Sequence, residues 1–279
     1  MILPIARRFV AGETIPEALE HTRTYNEDDV AIILNLLGEH YDNAAEARED
    51  TDTYLTLIDD IADSGLDACI SVKPSQIGLD VSADLFEEHY REIVAHAHER
   101  DAFVWCDMED VDTTDDTLDV FEAVAEEYPW SVGQCIQSNL KRTHDDLERL
   151  VDVPGKIRIV KGAYDEPPSV AYTDKADVNE AYREDIEFLF ENREQGVAIG
   201  SHDPEMIALA GRLADEHGTD YEIQMLTGVR EDAQRDLAKQ GVRVVQYAPY
   251  GKKWLSYFYR RVRERKENVL FAARAVIGR

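Results

Sequence analysis

Near the end of the chain a phenol, two arginines and a carboxylate recur at helical spacing: in the run Tyr257-Phe258-Tyr259-Arg260-Arg261-Val262-Arg263-Glu264, residues 257, 260, 261 and 264 share one face. A guanidinium is a planar fork that matches a carboxylate, so two adjacent arginines beside a tyrosine suggest a seat for a small carboxylic acid. From Lys252 to Arg279 nine Lys or Arg stand against two acids, a net +7 in a chain of net −28, which leaves −35 on the residues before it. The competing meanings of this segment are a solvated basic helix and a patch for acidic lipid or another protein.

Such a helix needs a frame to aim it. Short apolar, β-rich runs fall near 30–37, 67–72, 102–108, 131–138, 156–162, 196–201, 221–226 and 242–248. Helix-patterned stretches lie between them, near 44–63, 81–99, 114–127, 141–151, 175–194, 203–217 and 229–240, with a last one from 252 onward. Asn43 and the Asp203-Pro204 pair read as helix starts, and Gly65, Gly196, Gly218 and Gly241 as helix ends. Eight βα units predict a (β/α)8 barrel over a single domain, 1–279, with residues 1–28 an extra helical N-terminal arm; an open doubly wound sheet is the alternative.

A barrel carries its chemistry at the C-terminal ends of its strands, and polar residues collect there. They are Lys73 after strand two, Asp107, Met108 and Glu109 after three, Gln137 in four, and Arg158, Lys161, Gly162, Ala163 and Tyr164 along five. Ser201 and His202 follow strand six, Gln224, Met225 and Leu226 end seven, and Tyr247 and Pro249 end eight. Taken singly each has a structural explanation: Asp107 and His202 as helix caps, Gln137 as a satisfied core amide, Lys73 as a loop lysine. Their shared position is what points to a site.

Composition narrows the class. The acids are spread over almost every amphipathic segment, which predicts a solvated acidic surface, no nucleic-acid partner and a halophile's cytoplasm, with structure lost at low salt. Cys69, Cys106 and Cys135 are odd in number and sit in apolar runs, as buried thiols of a reducing compartment do, and no metal-ligand spacing occurs. No apolar stretch approaches the roughly 20 residues of a spanning helix.

Lys73-Pro74-Ser75, Asp107-Met108-Glu109, Gln137, Arg158-Ile159-Val160-Lys161-Gly162-Ala163-Tyr164, Ser201-His202, Gln224-Met225-Leu226, Tyr247-Ala248-Pro249 and Tyr257-x-x-Arg260-Arg261-x-x-Glu264 together resemble proline dehydrogenase, in order and strand placement, over nearly the whole chain. The resemblance implies a distorted flavin-binding (β/α)8 barrel, its last helix near the active-site face, that oxidises L-proline to 1-pyrroline-5-carboxylate by passing a hydride from C5 to FAD N5. It further implies that Arg260 and Arg261 pair with the substrate carboxylate beside Lys73, that Tyr164, Leu226, Tyr247 and Tyr257 enclose the ring, and that Glu264 braces the arginines and approaches the cofactor. Met108, Gln137, Arg158, Lys161, Gly162, Ala163, Ser201 and His202 become FAD contacts, with Arg158 stabilising reduced flavin and Asp107 positioning lysine and substrate. Electrons would leave to a membrane quinone, which leaves room for a peripheral membrane contact.

Two departures stand out. Ser201 replaces the family's usual threonine and keeps the hydroxyl, and Asp203 replaces a common asparagine and adds a charge. Outside this resemblance, Lys161 on a barrel strand could instead form a Schiff base with a small keto acid, as in class I aldolase-type barrels.

Overall fold

The computed structural model describes residues 8–164 and 166–254. A helix, α1 (Ile15–Asn26), precedes eight strands: β1 (Val30–Leu36), β2 (Ala68–Val72), β3 (Val104–Cys106), β4 (Val132–Gln137), β5 (Lys156–Val160), β6 (Val197–Gly200), β7 (Tyr221–Leu226) and β8 (Arg243–Tyr250). They pair in parallel in chain order and close into a barrel, β8 returning to β1 from Val30↔Val244 to Leu36↔Tyr250. The open-sheet alternative is therefore excluded.

Between successive strands run α2 (Ala44–Ser64), α3 (Ala83–Glu99), α4 (Thr114–Glu127), α5 (Thr143–Leu150), α6 (Lys175–Asn192), α7 (Pro204–His217) and α8 (Glu231–Lys239). Most expected caps hold: the Asn43 side chain accepts from Ala45 N–H, Asp203 accepts from Glu205 N–H, Gly65 and Gly218 end their helices at φ +65° and +74°, and Gly241 follows the end of α8, whereas α6 is already closed by Arg193 and Gly196 lies in the turn into β6. The helix expected from 252 onward lies, apart from residues 252–254, outside the described residues.

Successive strand side chains point to opposite sides, so each strand feeds two cores. Outward-facing Ile, Val and Leu pack under the helices in one continuous apolar layer. Inward-facing Ala31, Ile33, Trp105, Ala198 and Val245 fill the barrel, with Cys69, Phe103 and Tyr247 against them. Trp105 fits because its neighbour on β4 is Gly133, where a Cβ would lie 2.5 Å from the indole.

The arm has a definite place. Ala11 N–H donates to Pro249 O at the end of β8, and α1 then runs back along the outer wall, where His21 meets the Gln246 side chain at 2.8 Å. In a regular barrel this β8/β1 seam is covered by the helix that follows β8; here α1 covers it.

Outside, the acid excess is managed by arginines that reach carboxylates on two helices at once. Arg48 pairs with Asp52 and Glu92, Arg91 with Glu87 and Glu127, and Arg142 with Asp146 and Asp115. No helix of the described residues is long and apolar enough to cross a membrane.

Candidate active site at the barrel mouth

Asp107 is the hub. It is the first residue after β3, and its N–H still donates to Val72 O at 2.9 Å, which sets it beside Lys73 at the end of the neighbouring strand. Its carboxylate accepts from Ser71 Oγ (2.6 Å), Tyr247 OH (2.7 Å), Lys73 Nζ (3.5 Å) and the Arg158 guanidinium. Burial alone would push this acid up, but Arg158 first, then Lys73 and the two hydroxyls, outweigh it and hold it down at about 2. An acid held this low is an orienting anion at neutral pH, not a proton acceptor.

The cations respond in kind. Burial would lower Lys73, yet Tyr164, Asp107 and Glu109 around it raise it above the usual lysine range. Arg158, 4 % exposed, lies 5.0 Å over the Trp105 ring and 5.7 Å over that of Tyr247, and donates through Nη1 to Gln224 Oε1 at 3.1 Å. Burial raises the Tyr247 phenol well above its ordinary value, and the Asp107 carboxylate adds to this, so the phenol remains a donor.

A second carboxylate ties the rim loops together. Glu109, also buried, accepts from Ser75 N–H (2.8 Å) and Ser75 Oγ (2.9 Å), and the Tyr164 hydroxyl approaches it at 3.4 Å. Its backbone oxygen accepts from Gln137 Nε2 at 2.8 Å, and Gln137 Oε1 accepts from Ala163 N–H at 3.3 Å. The loops after β2, β3 and β5 and the end of β4 are thus joined through one residue pair.

On the β5–β7 side, Lys161 Nζ donates to Asn179 Oδ1 (2.6 Å) and Asp203 Oδ2 (3.0 Å) and lies 5.7 Å over the Tyr182 ring. Burial opposes the charge on Asp203, but the Lys161 hydrogen bond and the Glu205 N–H hold it below the usual carboxylate range. Ser201 Oγ accepts from Asp203 N–H, and His202 Nε2 accepts from Leu226 N–H at 3.1 Å, which fixes its tautomer. Gly162 has φ +106°, and a Cβ there would lie 2.0 Å from Asn139 Oδ1, so its own chain demands glycine before any ligand does.

Of the residues singled out in the sequence, Lys73, Asp107, Arg158, Tyr164 and Tyr247 converge in one connected network; Gln137, Ala163, Lys161, Ser201, His202 and Leu226 line the adjoining rim, and Met108 is buried next to the hub. Tyr257, Arg260, Arg261 and Glu264 lie outside the described residues. Sequence reasoning gave no role to Ser71, Trp105 and Glu109, or to Gln224 as the acceptor for Arg158. Their signal was the period of two that turns residues 71, 105, 158 and 224 inward. Among the described residues no cluster of three His, Cys, Asp or Glu is arranged to hold a metal ion.

A parallel eight-stranded barrel with a buried cationic network at its C-terminal mouth is the architecture of a barrel enzyme. The family model for proline dehydrogenase matches residues 18–274. Proline dehydrogenase of Deinococcus radiodurans is 37% identical over 282 residues, covering 98% of this chain and 90% of that protein. Proline dehydrogenase 1 of Bacillus subtilis (strain 168) is 34% identical over 275 residues, with the same coverage. The chain belongs to the proline dehydrogenase family. Among solved structures, proline utilization A from Bdellovibrio bacteriovorus, inactivated by N-propargylglycine, superposes with a TM-score of 0.86 at 24% identity over 94% of this chain. That likeness concerns the fold, and the chain spans 33% of that protein's length.

Proposed function

We propose that the chain oxidises L-proline to 1-pyrroline-5-carboxylate, the first step of proline catabolism, with FAD held at the barrel mouth. The observation that carries this reading is the buried Lys73–Asp107–Arg158 network, cationic in sum and walled by Tyr164 and Tyr247. It suits a substrate that is a carboxylate at one end and a small apolar ring at the other.

The residues present suit a flavin. The buried Arg158 guanidinium has no oxygen or nitrogen acceptor at Nε, which lies beside the weakly accepting Cys135 thiol, and it brings a fixed positive charge to the mouth that a cofactor ring could use. Gln137, Ala163, Lys161, Gly162, Ser201 and His202 lie along the same rim with Met108 beneath, and Glu264 would approach from the last helix. When bound, FAD supplies at N5 the acceptor for the hydride that leaves C5 of proline.

The chain's own residues bind and orient. Arg260 and Arg261 pair with the substrate carboxylate, Lys73 lies beside them, and Tyr164, Leu226, Tyr247 and Tyr257 enclose the ring, holding C5 in place and keeping water out. Because α1 covers the β8/β1 seam, a last helix lying near the mouth is the natural complement. Asp107 fixes Lys73, Arg158 and Tyr247 and takes no proton. The two cations it holds disfavour the substrate's ammonium form and so favour the neutral amine from which a hydride can leave.

Electrons pass on to a quinone or other acceptor, with the net-positive segment 252–279 as the part suited to a peripheral membrane contact. A Schiff-base role for Lys161 is disfavoured, because its amine is tied to Asp203 and Asn179 and is not free to attack a carbonyl. The test is anaerobic addition of L-proline to the purified yellow protein. Bleaching of the oxidised flavin band is expected; a colourless protein, or a band untouched by proline, would refute the assignment.

A further inference from the structure

The polar chain inside the barrel continues past Arg158 toward the floor. Gln224 accepts from Arg158 Nη1 through Oε1 and donates through Nε2 to Glu222 Oε1 at 2.7 Å; Glu222 Oε2 accepts from Lys156 Nζ at 2.9 Å. Glu222 and Gln224 are two apart on β7, so both side chains point inward, and both are buried.

Direction is fixed by donor and acceptor capacity. A primary amide can present either its oxygen or its nitrogen to a neighbour, and only the neighbours decide which. Arg158 only donates. Glu222, paired with Lys156, only accepts. Gln224 must then turn its oxygen up to the guanidinium and its nitrogen down to the carboxylate. The reversed amide would set N–H against N–H above and oxygen against oxygen below, in an interior where unmatched polar groups are costly. Without Glu222 nothing on the lower side holds Gln224 in the orientation Arg158 needs.

We infer that Glu222 is a positioning residue for the mouth chemistry: through Gln224 it fixes the guanidinium of Arg158, and with it the positive charge presented to the flavin. The inference rests on the function proposed above. The competing role is purely structural, an ion pair that closes the barrel floor.

The test compares Glu222→Met with the wild-type holoenzyme by flavin midpoint potential, kcat and KM for proline, and Tm. With the guanidinium misaligned, reduced flavin loses a stabilising charge, so the potential moves to a more negative value and kcat falls about tenfold, as removal of an outer supporting partner commonly does. KM for proline changes little, because Glu222 touches no substrate-binding group. Glu222→Gln retains an acceptor oxygen and restores both readouts toward wild type. A lowered Tm with potential and kcat unmoved would mean a structural role alone and overturn the inference. If Glu222→Met does not fold, Gln224→Leu breaks the chain at its middle, and an unmoved potential there overturns it equally. Failure of proline to reduce the wild-type flavin would instead remove the underlying function, an outcome distinct from an unmoved potential in a variant whose parent is reduced normally.

Discussion

Asp107 at the barrel mouth and Asp185 in the helix layer are both buried aspartates, and their environments drive them in opposite directions. Burial pushes each carboxyl up. Asp107 meets Arg158, Lys73, Ser71 and Tyr247 and ends at about 2; Asp185, on α6, has an Oδ2 with no hydrogen-bond partner and, with Ser138 offering only partial relief, ends at about 6. Asp185 lines a small cavity of about 50 Å³ between α6 and the turn after β4, with Ser138, Lys141 and His144 in its wall. Depth alone therefore does not define a functional carboxylate here. What marks the mouth is that four donors from three strands, Ser71 and Lys73 of β2 and its end, Arg158 of β5 and Tyr247 of β8, were gathered to keep one acid charged, where a substrate's charge must be met.

The sharpest way to break this contrast is Asp107→Ala. It leaves Arg158 buried and Lys73 largely so, both without their shared anion; loss of about 3–5 kcal/mol in urea unfolding is expected, with kcat/KM for proline lowered about a hundredfold or more. Glu109→Ala comes next, since Ser75 and Tyr164 lose their acceptor: about 1–3 kcal/mol of stability and a rise in KM of about tenfold. Asp185→Asn should do the opposite and stabilise, by about 1–3 kcal/mol at pH 8 and hardly at all at pH 4.

The pH dependences follow from the signs of the shifts. Asp107 is depressed in the folded state, so its contribution is complete above about pH 4, the unfolded value, and is lost as pH falls toward 2. Asp185 is raised, so its contribution is complete below about pH 4 and is lost as pH rises through about 6. Urea midpoints of Asp107→Asn and Asp185→Asn across pH 2–8 would separate the two; parallel curves would erase the contrast. The smallest effect belongs to the surface. Arg149→Ala, which releases Asp119 and Glu122, should cost less than about 1 kcal/mol, and less still in high salt.

Strand and helix order was legible because period and caps are local properties. The boundary of β3 was not: the apolar run 102–108 suggested seven residues, yet the ladder spans Val104–Cys106, with Asp107 keeping one further backbone bond to Val72 O. Mouth residues were visible as polar groups at strand ends. Their supports were not, because Ser71, Trp105 and Glu222 come from three separate strands and meet the mouth residues only when the barrel closes. Gly162 illustrates a local requirement hidden from the sequence, since the Asn139 contact and its positive φ already require glycine whatever binds there.

The central claim is that the Asp107-held cations face a proline lying against a flavin. A crystal structure of the holoenzyme soaked with the oxygen-ring analogue of proline, which keeps the carboxylate and the ring but lacks the amine nitrogen, tests it most directly. The analogue's carboxylate should rest on Arg260 and Arg261 near Lys73, its ring beside Tyr247 and Leu226, with Arg158 directed at the flavin. An analogue seated elsewhere, or a flavin remote from Arg158, would contradict it.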